Sequence, residues 1–131
     1  MYKYSKSSLD KLDTVHPDLR QLCFILIQVM DVTIIEGVRT PERQAQLVKQ
    51  GLSKTTDSKH LKQADGFSHA VDIAPYPVDW NDRERFIFMQ GIIQGLAKTL
   101  GLQIRSGVDW DGDGDIKEHK FFDGPHIELV R

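Results

Sequence analysis

SKHLKQADGFSHAVDIAP, residues 58–75, decides how the rest of the chain reads. It carries two candidate metal ligands, His60 and Asp72, on either side of a Gly-containing loop. Val71 to Ala74 is short and apolar and reads as a strand with Asp72 on it, which Pro75-Tyr76-Pro77 brings to an end. A third candidate ligand lies far downstream in FFDGPHIEL, residues 121–129. There His126 opens a strand after a tight Asp-Gly-Pro turn, and Asp123 stands three residues before it. Two imidazoles and one carboxylate form a tripod that leaves one zinc position open for water.

Working outward, the flanking segments supply a framework. Ser8 to Leu12 forms a short helical turn, and His16 stands at the surface where the next helix begins. Leu19, Leu22, Cys23, Leu26, Ile27 and Met30 recur at three- and four-residue steps, which predicts a buried amphipathic helix over about 17–30 with Pro17 in its first turn. VTIIEGV, 32–38, reads as a strand. Thr40-Pro41-Glu42 opens another helix, with Thr40 as N-cap, and Gly51 stops it. Residues 51–59 form a loop that delivers the chain to His60. Asn81 or Asp82 caps a helix over about 82–100, closed by Gly101. Strands over 102–108 and 126–130 complete the set. This order predicts an α+β fold, a small antiparallel sheet with helices packed on one side.

Composition narrows the function classes. The chain has 131 residues, enough for one domain with a core, and 40% hydrophobic and 27% charged residues. A formal net charge of −2 gives no basic surface for nucleic acid. The single cysteine, Cys23, reads as a core residue and rules out a cysteine-based zinc cluster. The longest apolar run, 22–27, is far short of the roughly 18 residues of a membrane span. The N-terminus has no apolar signal core, so the expectation is synthesis in the cytoplasm without an export route of its own.

A second chemical signal lies between the last two strands. In DWDGDGDI, residues 109–116, Asp109, Asp111, Asp113 and Asp115 fall at relative positions one, three, five and seven, with Gly114 at six and Ile116 at eight. That is the first two-thirds of an EF-hand calcium loop. The glutamate of position twelve is absent, Lys120 standing there, and Glu118 is the candidate substitute. Calcium there would order residues 109–120 and so set Asp123 and His126, which follow. His119 receives no role.

SKH, HAVDIAP and DGPHIEL, with VRTPERQ upstream, resemble the paired signatures of the D-Ala-D-Ala carboxypeptidase family of zinc peptidases. The wider group includes lysostaphin, the D-Ala-D-Ala dipeptidases and the hedgehog signalling domain. Within it the chain is most similar to phage endolysins that act as L-alanyl-D-glutamate peptidases, some of them calcium-regulated. The resemblance runs from about residue 5 to 130 and implies a hedgehog/DD-peptidase-like fold in a single catalytic domain, 1–131, with no separate wall-binding domain. It implies His60, Asp72 and His126 as zinc ligands, Asp123 as general base, and Arg39 as the arginine that steadies substrate or oxyanion. Ser58 and His69 become substrate contacts.

One departure is an insertion. The family has seven residues between its first His and its Asp, whereas His60 and Asp72 are twelve apart, with extra residues at 62–67 and Ser68 in place of a Gly. His69 is the rival ligand. If 68–72 is one extended strand, however, the side chains of His69 and Asp72 point to opposite faces, which favours His60. Glu128 lies two after His126 on the same strand face and can orient a ligand.

The resemblance further implies zinc-activated hydrolysis of the bacterial stem peptide, with peptidoglycan as partner. It implies a monomer without stable membrane association that stays in the host cytoplasm until a holin opens the way to the wall. The alternatives are a D-Ala-D-Ala carboxypeptidase or dipeptidase, and a non-catalytic zinc- and calcium-binding interaction module.

Overall fold

The computed structural model describes residues 1–115, 117 and 122–130. Among these described residues four helices and four strands follow in the order α1 (Lys6–Leu12), α2 (Pro17–Val29), β1 (Val32–Glu36), α3 (Pro41–Lys49), β2 (Ala70–Pro75), α4 (Arg83–Leu100), β3 (Ile104–Ser106) and β4 (His126–Leu129). The strands form one sheet in the order β1-β2-β4-β3, and every neighbouring pair is antiparallel. The fold is the expected α+β arrangement.

Caps set the helix starts. The side chains of Ser5, His16, Thr40 and Asp82 each accept a hydrogen bond from a first-turn backbone N–H of α1, α2, α3 and α4. At the end of α4 Gly101 takes a left-handed conformation with φ +72°, which a side chain would strain. α1 is longer than the turn expected at Ser8–Leu12, because Ser5 caps it.

Alternation on the strands separates two faces. Val32, Ile34, Val71, Ile73, Ile127 and Leu129 join Leu19, Leu22, Leu26, Phe86, Met89 and Ile93 of the helices in one hydrophobic core. Each such side chain, fully buried, contributes about 1.5–3 kcal/mol. Cys23 lies within this cluster, and burial pushes its thiol up to about 12. α1 also guards the β1 edge, where the Ser8 hydroxyl accepts the Ile34 N–H at 3.1 Å.

Two strands are shorter than the sequence suggests. β1 ends at Glu36 because Gly37 is pressed against Thr14 and the Lys11 carbonyl, and Val38 donates to the Thr14 hydroxyl instead of to a strand. β3 covers only Ile104–Ser106. Before it, Leu102 N–H is still bonded to the Ala97 carbonyl of α4; after it, the Ser106 hydroxyl accepts the Val108 N–H and turns the chain.

Candidate metal centre

The face of the sheet opposite the core carries the polar residues. Asp72 of β2 lies directly across from His126 of β4. On the other side of β2, the pairing of β1 slips between Ile34 and Glu36. A regular ladder would set Ile35 against Asp72; the bulge sets Glu36 there instead. One extra residue thus brings a carboxylate onto the face that holds Asp72 and His126.

His60 arrives from the loop before β2. Ser58 shapes its turn, its hydroxyl accepting the His60 N–H at 3.1 Å, and the His60 carbonyl accepts the Arg39 N–H at 2.8 Å. The insertion at 62–67 folds outside this arrangement, with the Gln63 and Phe67 backbones bonded to each other and Ser68 N–H on the Thr14 carbonyl.

Three donor atoms converge. His60 Nε2 lies 3.1 Å and His126 Nδ1 3.2 Å from Asp72 Oδ1. Each imidazole is oriented through its other nitrogen: His60 Nδ1 donates to the Gly37 carbonyl at 2.9 Å, and His126 Nε2 donates to Glu128 Oε1 at 2.8 Å. A carbonyl can only accept, so the His60 tautomer leaves Nε2 to face the centre. Both rings are buried. Two imidazole nitrogens and a carboxylate oxygen aimed at one point, with both rings locked from behind, fit the donor set of an open zinc site.

The charges are tightly coupled. Burial raises the Asp72 carboxyl, but hydrogen bonds from His126 and His60, and their charge, outweigh it and hold Asp72 well below the usual carboxylate range. Burial lowers His126, yet Asp72 and Glu128 raise it further, to about 9. Without metal, a proton therefore occupies the nitrogen that faces Asp72 at neutral pH. Asp123 is pushed up by its own burial and by the charge of Asp72, against His126, His60 and Arg39, so its carboxyl lies within electrostatic reach of the whole cluster. Its backbone is fixed by Gly107: Asp123 N–H donates to the Gly107 carbonyl at 2.9 Å, and a Cβ on Gly107 would collide with the Asp123 carbonyl.

Arg39 reaches the same group, with Nη2 3.8 Å from Asp72 Oδ2. Two residues that were not singled out in the sequence hold it there. Glu36 Oε1 accepts from Nε at 2.8 Å and also from Nη2, while Gln44 Oε1 accepts from Nη1 at 2.7 Å. The Gln44 amide then donates to Ser53 Oγ and the Thr55 carbonyl, tying α3 and the following loop to Arg39. The available hints were a Glu three residues before Arg39, and a Gln three before the buried Leu47 on the inner face of α3.

Of the proposed calcium ligands, Asp109, Asp111 and Asp113 are brought together, their carboxylate oxygens lying within 4.8 Å of one another. Asp115 is outside that group; its Oδ1 accepts the Lys117 N–H. Glu118 lies outside the described residues. The loop touches the centre, since the Trp110 ring packs on the His126 ring with centroids 5.5 Å apart. His69 faces away from the cluster, its Nε2 2.7 Å from Asp65 Oδ2 and its ring against His16.

The phage L-alanyl-D-glutamate peptidase family profile matches residues 1–130. The chain is 34% identical to the L-alanyl-D-glutamate peptidase of Escherichia phage T5 over 137 aligned residues, covering 98% of each protein. Its fold is similar to that of the Serratia marcescens L-Ala D-Glu endopeptidase ChiX, with a TM-score of 0.79 and 26% identity over 99% of this chain and 90% of the other. With a match along almost its whole length, the chain belongs to the phage L-alanyl-D-glutamate peptidase family.

Proposed function

We propose that the chain is a zinc peptidase that hydrolyses the L-alanyl-D-glutamate bond of the peptidoglycan stem peptide. The observation that carries this reading is the convergence of His60 Nε2, His126 Nδ1 and Asp72 Oδ1 in a member of that family. Zinc held by these three residues supplies Lewis acidity and a water acidic enough to ionise near neutral pH. Asp123, half-buried beside the ligands, takes the proton of the attacking water and returns it to the leaving amine. Arg39, fixed by Glu36 and Gln44, offers positive charge to the oxyanion that forms at the scissile carbonyl. Glu128 keeps the His126 ring in register. Ser58, at the turn that carries His60, is proposed as a substrate contact, and His69, which faces away from the cluster, as a contact at the rim.

Calcium regulation belongs to the same proposal. The gathering of Asp109, Asp111 and Asp113 supports it, as do the contact of the Trp110 ring with His126 and the backbone bond between Gly107 and Asp123. An ion in the loop would brace the strand end that carries both. Also proposed are a monomer with one catalytic domain, no stable membrane association and no nucleic-acid partner, held in the host cytoplasm until a holin opens the way to the wall. No helix among the described residues is long and apolar enough to cross a membrane.

Mass spectrometry of digested peptidoglycan tests the reaction. New L-alanyl carboxyl and D-glutamyl amino ends are expected from zinc-loaded protein, more slowly when calcium alone is chelated. Release of terminal D-alanine instead would assign the chain to carboxypeptidase chemistry. An undigested sacculus would leave only a binding module.

A further inference from the structure

Asp123 and His126 share one short turn, Asp123-Gly124-Pro125-His126, and its carbonyls are accounted for one by one. The Asp123 carbonyl accepts the His126 N–H at 3.1 Å and the Pro125 carbonyl accepts the Ile73 N–H at 2.9 Å. The Gly124 carbonyl is reached by a side chain from another element. Gln90, in the middle of α4, donates from Nε2 to that carbonyl at 2.7 Å and to the His126 carbonyl at 3.2 Å, which the Gly107 N–H also reaches at 2.9 Å. Gln90 is itself buried, at 1% exposure.

Two features show that the donor end of this amide is what the turn uses. Both partners are carbonyl oxygens, which accept only, so the amide orientation is fixed. Its Oε1, by contrast, is buried and meets no hydrogen-bond donor among the described residues. One helical turn earlier, Phe86 closes the other side, since a Cβ on Gly124 would come within 2.9 Å of its ring. At i and i+4 on α4, Phe86 and Gln90 therefore grip the turn between them, one by contact and one by hydrogen bonds.

We infer that Gln90 is a positioning residue for the reaction. By anchoring the Gly124 and His126 carbonyls it fixes the spacing between the proposed general base, Asp123, and the proposed ligand, His126. This rests on the reading of those two residues given above. Without the two N–H donors the turn loses its only side-chain anchor among the described hydrogen bonds, and the base drifts relative to the ligand. Small displacements of a reacting group are costly: about 1 Å of misplacement can lower a rate by about a hundredfold.

The test compares Gln90→Leu with the parent and with Ile93→Val, a core change on the same helix away from the turn. Zinc affinity is read by competition with a chromophoric chelator, kcat and KM on a soluble muropeptide, and folding by thermal melting. Gln90→Leu is expected to lower kcat and to weaken zinc binding by about tenfold each, with KM little changed and Ile93→Val close to the parent in both. Should Gln90→Leu not fold, Gln90→Met keeps the length of the side chain without an N–H donor and carries the same expectation. Parent-like kcat and zinc affinity in the variant that folds would overturn the proposal, as would equal losses in Ile93→Val. An inactive parent that binds no zinc would instead overturn the reading of the site.

Discussion

At Asp72 three basic side chains share one carboxylate, with His60 and His126 on Oδ1 and Arg39 nearest Oδ2. Asp123 stands apart from them, raised by burial and by the Asp72 charge, which suits a group that must accept a proton. Replacing Asp123 by Asn keeps the shape and removes the basic oxygen. Turnover of muropeptide should fall about 10²–10⁴-fold with zinc content unchanged, and an active Asn variant would remove Asp123 from the mechanism. Arg39→Lys keeps the charge but loses the planar fork that Glu36 and Gln44 hold, so kcat/KM should drop about tenfold or more. A change under about twofold would make Arg39 an ion-pair partner only. These residues were legible in the chain because His, Asp and Arg at motif spacing carry a chemical meaning of their own. Gln44 and Gln90 were not, because a glutamine on a helix ordinarily faces water, and only the tertiary packing shows that these two are buried.

Among the elements, the turn regions matter more than the strands they join. The bulge in β1 that sets Glu36 opposite Asp72 could not be placed from the sequence, since the run VTIIEGV reads as a strand whether or not a residue is extruded. The early ends of β1 and β3 were hidden as well, being imposed by Thr14 against Gly37 and by the Ser106 hydroxyl, which takes the Val108 N–H. The Gly107 contact can be tested directly. Gly107→Ala must push the Asp123 backbone away, so both thermal stability and zinc affinity should fall, the stability by about 1–3 kcal/mol. A melting curve and zinc titration matching the parent would show that the approach of Gly107 to Asp123 is not needed. The caps, in contrast, were readable: Thr40 and Asp82 open their helices where the sequence placed them.

For the whole molecule, the sheet order β1-β2-β4-β3 is what joins residues 72 and 126, and the loop before β2 brings residue 60 to them. The helical periods and strand patterns foretold the elements and the α+β class. Which strand lies beside which was not in those patterns, because pairing between β2 and β4 joins segments more than 50 residues apart. The coupling also sets a pH dependence for the metal-free protein. His126 is raised from 6.5 to about 9, so its contribution to stability is fully present below about 6.5 and is lost as pH rises through about 9. Asp72 and Glu128 are depressed, so theirs is present above their ordinary values of 3.8 and 4.5 and is lost as pH falls below them. Metal-free protein should thus melt highest between about pH 5 and 6.5, while the stabilisation added by zinc, which displaces the His126 proton, should grow from pH 6 to 9. A zinc effect independent of pH would contradict the proton on His126. The central claim is that two imidazoles and one aspartate hold a single zinc. X-ray absorption at the zinc edge measures that shell directly. The account predicts one zinc per chain in a shell of nitrogen and oxygen only, with two imidazoles in the parent and one in His60→Ala. A sulfur scatterer, or an imidazole count unchanged by His60→Ala, would contradict it.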